Sequence, residues 1–473
     1  MKNLITILSI VTFLYSNSQN IIFQQIYQCQ VDQSAREIVE ISSGGFMIAA
    51  MNEKTIGDSD IYIIKTNVSG DTLWTKSFGG NQSEYPNMIL ETNGGNFLIV
   101  GYTLSYGAGS NDVYLIKIDI NGNLLWSKTY GGIGDDEGKD IIPTSDGNYV
   151  ITGRSNSPGN QYYDAFLMKI DPLGNIIWEK NYGGSLYETS RSVKECLDGG
   201  YILTGQTLSY GSGGGDVYLI KTDSNGNLVW SKTFGGSSID DGNVVLENPD
   251  KTIMIAAETE SYGGGAMDVW LLKTDSLGNL LWSQTYGGTD KDVSKTMRMT
   301  SDGKYLIGAI SRSFGWINPD MWLLKIDTNG TTLWTRHFGS WDHEHCHSAR
   351  EASDGGIIAV GHSKSYGPVT KIMFIKLDEN GTTSFAENNQ KHEINIFPNP
   401  AETKINIQLP YAKLQLAECS VFTLTNNSIL HEKIQINNEK SDIEIDLLNI
   451  PPGIYFVEVK TDEEILKKKI IIN

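Results

Sequence analysis

The sequence predicts an all-β protein, a seven-bladed β-propeller followed by a small immunoglobulin-like β-sandwich. The first observation behind this prediction is a unit of about 52 residues that recurs through residues 19–385. The second is that each unit holds four short β-rich runs, separated by turns rich in glycine and aspartate. The third is a change of sequence pattern after residue 385, where the repeat stops and shorter runs of alternating apolar and polar residues begin.

The tryptophans give the number of repeats. A step of 52 residues separates the consecutive members of the series Trp74, Trp126, Trp178, Trp230, Trp282 and Trp334. Phe23 precedes this series and Phe385 follows it, each close to the position that the step requires. Seven units lie between the two phenylalanines, and four strands per unit at this period are typical of a β-propeller.

The third strand-like run of the unit explains why the repeat is needed. In DVYLIKID, from Asp112, both faces are apolar, which fits a blade packed between two neighbouring blades. The strand around Ile21–Tyr27 lacks the three strands that precede it in a complete unit. We therefore predict that it completes the seventh blade and closes the ring. Closure by residues 382–386 is the alternative.

Composition limits the classes of partner. The 473-residue chain has a formal net charge of -19 that no basic stripe interrupts, so binding to nucleic acid is disfavoured. Residues 1–18 read as a signal peptide, with one lysine before a short apolar run, and no other stretch suits a transmembrane helix. The four cysteines match no metal-binding spacing, and we expect free thiols.

One carboxylate per unit lies on the face that carries the longer, glycine-rich loops. It follows the tryptophan position by ten residues, with the first member slightly shifted, and the set is Asp32, Glu84, Asp136, Glu188, Asp240, Asp292 and Glu344. Such a ring of acids offers ligands for a cation or a polyhydroxylated molecule. Because every unit shares the acid, we favour a structural role in which it accepts backbone N–H bonds and ties one blade to the next.

Aromatic residues on the same loops are candidates for sugar stacking. They are the tyrosines of the SYG segments, Tyr106, Tyr210, Tyr262 and Tyr366. No nucleophile, phosphate loop or zinc-protease motif accompanies them, so we assign no catalytic residue. Carboxylate pairs such as Asp135–Asp136 and Asp240–Asp241 are the nearest approach to the two acids of a glycosidase, and chance pairing at a repeated position explains them more simply.

The segment SWDHEHCHSAR in the seventh unit departs from the repeat. His343, His345 and His347 alternate along it, so a strand would place the three imidazoles on one face, as a zinc or copper site requires. Imidazoles spaced in this way on one extended strand rarely converge on one ion. A metal at this position is therefore the less favoured interpretation, and we expect no cofactor.

The chain after the linker of residues 386–392 carries three motifs in order. They are IFPNPAETKINI with Pro398, Asn399 and Pro400, LNIPPGIYFVEV with Gly453 and Tyr455, and the closing KKKIIIN with Lys467, Lys468 and Lys469. Residues 393–473 thereby resemble the type A sorting domain of the type IX secretion system. The resemblance implies an outer-membrane translocon and a sortase-like peptidase as partners, and delivery to the cell surface or the extracellular space. One departure is KTDEEILKKK, where the family often has a glycine in the hairpin.

These observations predict an exported binding module that recognises a glycan or a protein through its loop face. One alternative is an enzyme that acts on polysaccharide with paired carboxylates on that face. Another is a structural or adhesive component of the cell surface. The repeats are similar to those of secreted bacterial propellers, and that similarity carries no active-site residue over to this chain.

Overall fold

The computed structural model describes residues 23–472, apart from residues 28, 56, 158–160, 315–317, 340–341, 383–394, 398–400, 402, 409–415, 424–427, 436–441, 448–449 and 462–464. The predicted signal peptide of residues 1–18 and the linker of residues 386–392 lie outside the described residues. The chain forms two compact units, residues 1–384 and residues 385–473. All the regular elements in the described ranges are β-strands.

The first unit begins with β1 (Phe23–Ile26) and continues as a series of four-stranded antiparallel blades. Blade one comprises β2 (Gln33–Glu40), β3 (Phe46–Thr55), β4 (Asp58–Thr66) and β5 (Thr72–Phe78). Blade two comprises β6 (Glu84–Glu91), β7 (Phe97–Thr103), β8 (Asp112–Ile118) and β9 (Leu124–Tyr130). Blade three comprises β10 (Asp136–Pro143), β11 (Tyr149–Ser155), β12 (Asp164–Ile170) and β13 (Ile176–Tyr182).

The next three blades repeat this order. Blade four comprises β14 (Glu188–Glu195), β15 (Tyr201–Thr207), β16 (Asp216–Thr222) and β17 (Leu228–Phe234). Blade five comprises β18 (Asp240–Glu247), β19 (Ile253–Thr259), β20 (Asp268–Thr274) and β21 (Leu280–Tyr286). Blade six comprises β22 (Asp292–Met299), β23 (Tyr305–Ser311), β24 (Asp320–Ile326) and β25 (Thr332–Phe338).

The seventh blade joins the two ends of the repeat array. It comprises β26 (Glu344–Glu351), β27 (Ile357–Ser363), β28 (Lys371–Leu377) and, as its fourth strand, β1. β1 pairs antiparallel with β28, from Phe23 opposite Lys376 to Ile26 opposite Met373. The predicted closure by the amino-terminal strand is therefore confirmed, and the pairing covers an edge of β28 that would otherwise be open.

The recurring aromatic residue of the fourth strand packs on the following blade. The Trp74 ring lies against Gly122, in the turn between β8 and β9. Gly122 has a φ of 77°, and a Cβ at this residue would come within 3 Å of the ring, so only glycine fits. Phe23 packs on Gly70 in the same way, which shows that it takes the place of a tryptophan in the closing strand.

Burial concentrates at the junctions between blades. Each of the seven junctions holds one cluster of buried apolar side chains contributed by the two adjoining blades. Third strands are covered on both faces, and in β16 all seven residues are buried. The buried stem of Lys221 in β16 ends in an Nζ that pairs with Asp198 of the nearby turn at 2.8 Å. Cys196 and Cys346 lie in these junction clusters as free thiols.

The first strand of every blade borders a central cavity and carries a β-bulge. Its pairing with the second strand skips one residue at the same place in all seven blades. We call these seven residues the bulge ring: Arg36, Asn87, Lys139, Arg191, Asn243, Lys295 and His347. A bulge re-aims the side chain of the extra residue, and all seven side chains line the central cavity.

The second unit consists of two antiparallel sheets. The sheet order is β29 (Asn395–Phe397), β30 (Lys404–Gln408) and β33 (Asp442–Asp446) in one sheet. The other sheet contains β32 (Ser428–Gln435), β31 (Leu416–Thr423), β34 (Gly453–Thr461) and β35 (Ile465–Ile472). Ile405, Val457 and Ile470 belong to the apolar cluster that the two sheets share. The immunoglobulin-like classification of this unit stays a prediction.

Candidate functional site

The structure places the recurring carboxylates at the start of the first strands. The six that begin a strand are at most 2% exposed, and they are Glu84, Asp136, Glu188, Asp240, Asp292 and Glu344. In blade one the first strand begins at Gln33, one residue after the predicted member Asp32. Asp32 instead accepts a hydrogen bond from the backbone N–H of Thr370 at 2.5 Å. The strand position therefore holds an amide in blade one and a carboxylate in the other six blades.

Glu188 illustrates what such a buried acid does. Its Oε1 accepts hydrogen bonds from the Thr207 hydroxyl at 2.7 Å and from the Ser209 N–H at 2.9 Å. Its Oε2 accepts the N–H of Gly184 at 2.8 Å, in the loop that arrives from the preceding blade. One side chain thus holds two loops of adjoining blades, and none of its oxygens faces a space for a ligand.

Replacing this acid tests the structural role directly. We expect Glu188→Ala to lower the free energy of unfolding by about 3 kcal/mol, because two backbone N–H groups and a hydroxyl lose their acceptor in a buried place. Glu188→Gln should have a smaller effect, since the amide keeps one acceptor oxygen and blade one already holds Gln33 here. Urea denaturation of the three proteins measures the difference. A loss below about 1 kcal/mol for the alanine variant would contradict the structural role.

The paired carboxylates are engaged as well. Asp135 accepts a hydrogen bond from the Tyr163 hydroxyl at 2.8 Å. Asp241 forms an ion pair with Arg191, in which Nε lies 3.1 Å from Oδ1. The remaining members of the two pairs, Asp136 and Asp240, belong to the buried set described above. The structure therefore gives these four carboxylates hydrogen-bonding and ion-pairing roles inside the fold.

The structure assembles a different histidine cluster from the one predicted. Candidate ligand atoms of His345, His347 and His362 lie within 4.8 Å of one another, and His347 Nε2 is 3.1 Å from His362 Nδ1. His343 precedes β26 and lies outside this cluster. Its imidazole forms a hydrogen bond with Asp342. His362 replaces His343 because β27 pairs with β26 and sets His362 opposite His345. The spacing along one strand could not reveal this cross-strand member.

The surroundings of the cluster are electropositive. Burial lowers the pKa of His345 to about 4 and that of His362 to about 3. The pKa of His347 is lowered well below its usual value by burial and then by Arg36, with Lys295 adding to the effect. Three neutral imidazoles fit the donor chemistry of zinc or copper. Burial is the main reason that they stay neutral, and the neighbouring positive charges, which add to that effect, also oppose the binding of a metal cation.

A groove recurs on the outer flank of the blade junctions, beside the loop face. Between blades four and five it encloses about 650 Å³, lined by Thr233, Phe234, Gly235, Tyr262, Trp270, Leu280, Ser283, Gln284 and Thr285. Between blades one and two it encloses about 450 Å³, lined by Ser77, Phe78, Gly79, Tyr106, Tyr114, Leu124, Ser127, Lys128 and Thr129. Each of the nine positions in one groove lies three repeats from its counterpart in the other. We call this feature the junction groove.

An aromatic pair forms the wall and floor of the junction groove. The pairs are Tyr106–Tyr114, Tyr210–Tyr218, Tyr262–Trp270 and Phe314–Trp322, with ring centroids 5.1 to 5.7 Å apart. The wall tyrosine is fixed at its hydroxyl, which in Tyr262 donates to the carbonyl of Gly235 at 2.9 Å. Its ring nevertheless stays 47% exposed. The groove therefore offers a rigid aromatic face to solvent at several junctions.

Sequence reasoning missed the bulge ring. Its members stand three residues after the start of each first strand, so the repeat register contains a signal for their equivalence. The register does not show that a bulge turns this position toward the axis. The ring holds two arginines, two lysines, two asparagines and a histidine, in a chain whose net charge is -19.

The predicted sorting-signal residues fall in the second unit. Gly453 begins β34, and the Tyr455 hydroxyl donates to the carbonyl of Pro451 at 2.7 Å. Lys467, Lys468 and Lys469 lie in β35. Pro398, Asn399 and Pro400 lie outside the described residues.

Solved structures match most of this chain at low overall similarity. Sqt1 from Chaetomium thermophilum has a TM-score of 0.44 and 8% identity, and the match covers 74% of this chain and 97% of Sqt1. The β-propeller domain of the Trilobed protease from Pyrococcus furiosus has a TM-score of 0.41 and 9% identity, with 74% and 95% covered. Sequence identity at this level carries no function across.

Two curated proteins match short stretches of the chain. The regulatory protein FlaEY of Caulobacter vibrioides is 25% identical over 175 residues, which are 32% of this chain and 18% of FlaEY. An uncharacterised WD repeat-containing protein of Acanthamoeba polyphaga mimivirus is 23% identical over 217 residues, which are 41% of this chain and 14% of that protein. The chain thus spans less than a fifth of the length of either relative.

A family model accounts for the second unit. Residues 395–473 match the secretion system C-terminal sorting domain. This domain directs a protein through type IX secretion, so the chain goes to the cell surface or the extracellular space. Within the described residues no helix is long and apolar enough to cross a membrane. The chain is therefore a secreted β-propeller protein that carries a C-terminal sorting domain of the type IX secretion system.

Proposed function

We propose that the propeller is a multivalent carbohydrate-binding module that uses its junction grooves. The observation that carries the proposal is the recurrence of the same nine-position groove three repeats apart, with an exposed, fixed aromatic wall in both copies. The C–H face of a pyranose packs well on an aromatic ring, and the hydroxyl and amide groups of Ser283 and Gln284 supply hydrogen-bonding partners beside it.

Repetition compensates for a weak individual site. Each groove is open and shallow, so one sugar in one groove gains little free energy. A polysaccharide chain or a surface that presents many copies of one sugar can occupy several grooves at once. Later contacts are then effectively intramolecular, which raises the overall affinity by a factor of about 10² to 10⁴ without any new contact. A ring of similar grooves suits this mode of binding.

The delivery route agrees with such a task. The sorting domain implies contact with the type IX machinery, and we propose that an outer-membrane translocon recognises it and a sortase-like peptidase removes it. The propeller would then meet polysaccharide outside the cell. A display of several sugar sites is useful there, because extracellular polysaccharides are long and repetitive.

Affinity gel electrophoresis tests the proposal. The full chain is run through gels that contain laminarin, mannan, xylan or dextran, four neutral polysaccharides. We expect retardation by at least one of them, and its loss in the triple variant Tyr106→Ala, Tyr210→Ala and Tyr262→Ala. The corresponding triple phenylalanine variant should stay retarded, because it keeps the rings and loses only the hydroxyl contacts.

Two controls make the result specific. Tyr162→Ala removes an exposed tyrosine that lines neither described groove and should leave the retardation unchanged. Circular dichroism on the triple alanine variant checks that the blades remain folded. Undiminished retardation of a folded triple alanine variant, or no retardation by any of the four polysaccharides, would contradict binding in the grooves. Release of reducing sugar from a retarding polysaccharide would instead favour the enzyme.

A further inference from the structure

The central cavity differs in charge from the rest of the molecule. It encloses about 170 Å³ and is lined by residues of the first strands only. Among its lining residues, the basic ones are Arg36, Lys139, Arg191, Lys194, Lys295 and Arg298, and the acidic ones are Glu37 and Asp140. An excess of basic groups at the axis of a chain with a net charge of -19 marks a local positive field.

Nearby acids neutralise part of this field. Lys139 pairs with Glu137 at 2.5 Å, and Arg298 lies 3.5 Å from Glu37. Arg191 forms its ion pair with Asp241. These contacts engage Lys139, Arg191 and Arg298. Glu37 of blade one also pairs with Arg350 of blade seven at 2.6 Å. In the sector formed by blades six, seven and one, the bulge ring contributes Lys295, His347 and Arg36.

Two cations in that sector lack a carboxylate in contact. Within the described residues, neither Arg36 nor Lys295 takes part in a salt bridge. The guanidinium of Arg36 bonds only weakly, to the Met51 sulfur at 3.9 Å. The charges of Glu258 and Asp241 favour protonated Lys295, yet neither carboxylate forms a salt bridge with it.

The protonation equilibria agree with uncompensated positive charge. Burial lowers the pKa of Arg36. Burial also lowers the pKa of Lys295, and the positive charges of Arg191 and Lys291 lower it further. The pKa of Lys139 is lowered by burial and by Arg154 and Arg191. Burial therefore disfavours the charged form of all three side chains, and neighbouring positive charges add to this effect at Lys139 and Lys295.

We propose that the central cavity binds an oxyanion, a sulfate or phosphate group, between Arg36 and Lys295. An arginine offers paired N–H donors that match two oxygens of such a group, and a lysine adds a compact charge on the opposite side. The amides of Asn87 and Asn243, which line the same cavity, supply neutral donors. The oxyanion supplies the counter-charge that these two buried cations lack, so binding stabilises the closed ring. This site is separate from the junction grooves, and either proposal can fail without the other.

The same chemistry has two sources outside a cell, a free inorganic ion and an ester on a sugar. Lys194, at the end of the cavity away from the loop face, is exposed to solvent. The experiment therefore compares inorganic phosphate, inorganic sulfate and glucose 6-sulfate. Tighter binding of the ester assigns the site to sulfated carbohydrate, whereas binding of the inorganic ions alone assigns it to the free ion.

The repeat itself supplies substitutions that the fold accepts. Blades two and five hold asparagine in the bulge ring, so Arg36→Asn and Lys295→Asn place a residue already found at the same position. The melting temperature of the full chain is measured in chloride buffer at constant ionic strength, with 0 to 10 mM of each probe. For the unmodified chain we expect a rise of at least about 2 °C with phosphate or sulfate.

The double variant, Arg36→Asn with Lys295→Asn, should differ from the unmodified chain in its melting temperature and in its response to oxyanion. Without added oxyanion its melting temperature should equal or exceed that of the unmodified chain, because two buried charges that form no salt bridge are gone. With oxyanion it should not rise, whereas Lys180→Asn, at an exposed position of β13, should keep the full rise. An equal rise in the double variant would show general salt stabilisation and overturn the proposal. No rise in the unmodified chain with any of the three probes would overturn it as well.

Discussion

Deleting residues 23–27, which include β1, is expected to abolish cooperative folding of the propeller. Blade seven would lose its fourth strand, and the backbone groups of β28 that pair with Phe23–Ile26 would be exposed. The Phe23 ring, at 4.8 Å and nearly perpendicular to the Phe374 ring, would leave the junction of blades seven and one. An open edge beside an uncovered apolar cluster favours association between chains. We therefore expect aggregation and a broad, early thermal transition, measured by size-exclusion chromatography and circular dichroism.

A single substitution separates the contribution of the Phe23 ring from that of the backbone pairing between β1 and β28. Phe23→Ala keeps the backbone hydrogen bonds of β1 and removes the ring that lies on Phe374 and Gly70. We expect it to lower the free energy of unfolding by about 3 kcal/mol. Leu73→Ala is the matched control, because Leu73 lies in β5, the fourth strand of blade one, and is 58% exposed. This substitution should change the free energy of unfolding by no more than about 0.5 kcal/mol. A truncated chain that remained monomeric with an unchanged melting temperature would show that closure does not hold the ring together.

Acidification from pH 6.5 to pH 5 is expected to destabilise the propeller through its histidine cluster. The pKa values of His345 and His362 are about 4 and about 3 in the folded chain, and that of His347 is also lowered. An unfolded histidine has a pKa of about 6.5, so the unfolded state binds more protons in this window and gains stability as the pH falls. Each of the three groups contributes up to about 1.4 kcal/mol per pH unit below 6.5. A histidine stops adding to this loss of stability once the pH falls below the pKa that it has in the folded chain.

Substitutions borrowed from other blades test this explanation. His345→Thr, His347→Asn and His362→Gln install the residues that occupy the corresponding positions at Thr189, Asn87 and Gln206. The triple variant should lose much of the pH dependence of the urea midpoint between pH 6.5 and pH 5. His343→Ser, which changes a neighbour outside the cluster, should alter that dependence far less, because burial is the main cause of the lowered pKa values of His345 and His362. Identical pH slopes for the triple variant and the unmodified chain would rule out the cluster as the origin.

Much of the architecture could be read from the sequence, because the features that specify a blade are local. Trp74 marks a unit, and the glycine that it packs on follows at a fixed distance along the chain. Phe23 could be assigned to the closing strand for the same reason, since it stands where a tryptophan belongs. The sorting domain was equally accessible, because its motifs are short and contiguous.

The candidate sites depended on contacts between strands and between blades. His362 joins His345 only through the pairing of β27 with β26, and nothing in the spacing of His343, His345 and His347 indicates it. Arg36 and Lys295 are 259 positions apart in the numbering and share a cavity because the ring closes and a bulge turns both toward the axis. The assignment of Asp32 to the ring of acids missed the strand position by one residue, since only the pairing register shows that β2 begins at Gln33.

The sequence by itself determined the repeat, the number of blades, the strand that closes them and the route of export, because each is encoded in residues close together or in a constant period. Only the tertiary structure decided which side chains meet at the axis, which histidines cluster and where aromatic grooves form. Those arrangements join residues from different blades, and their distances are set by ring closure, strand register and β-bulges.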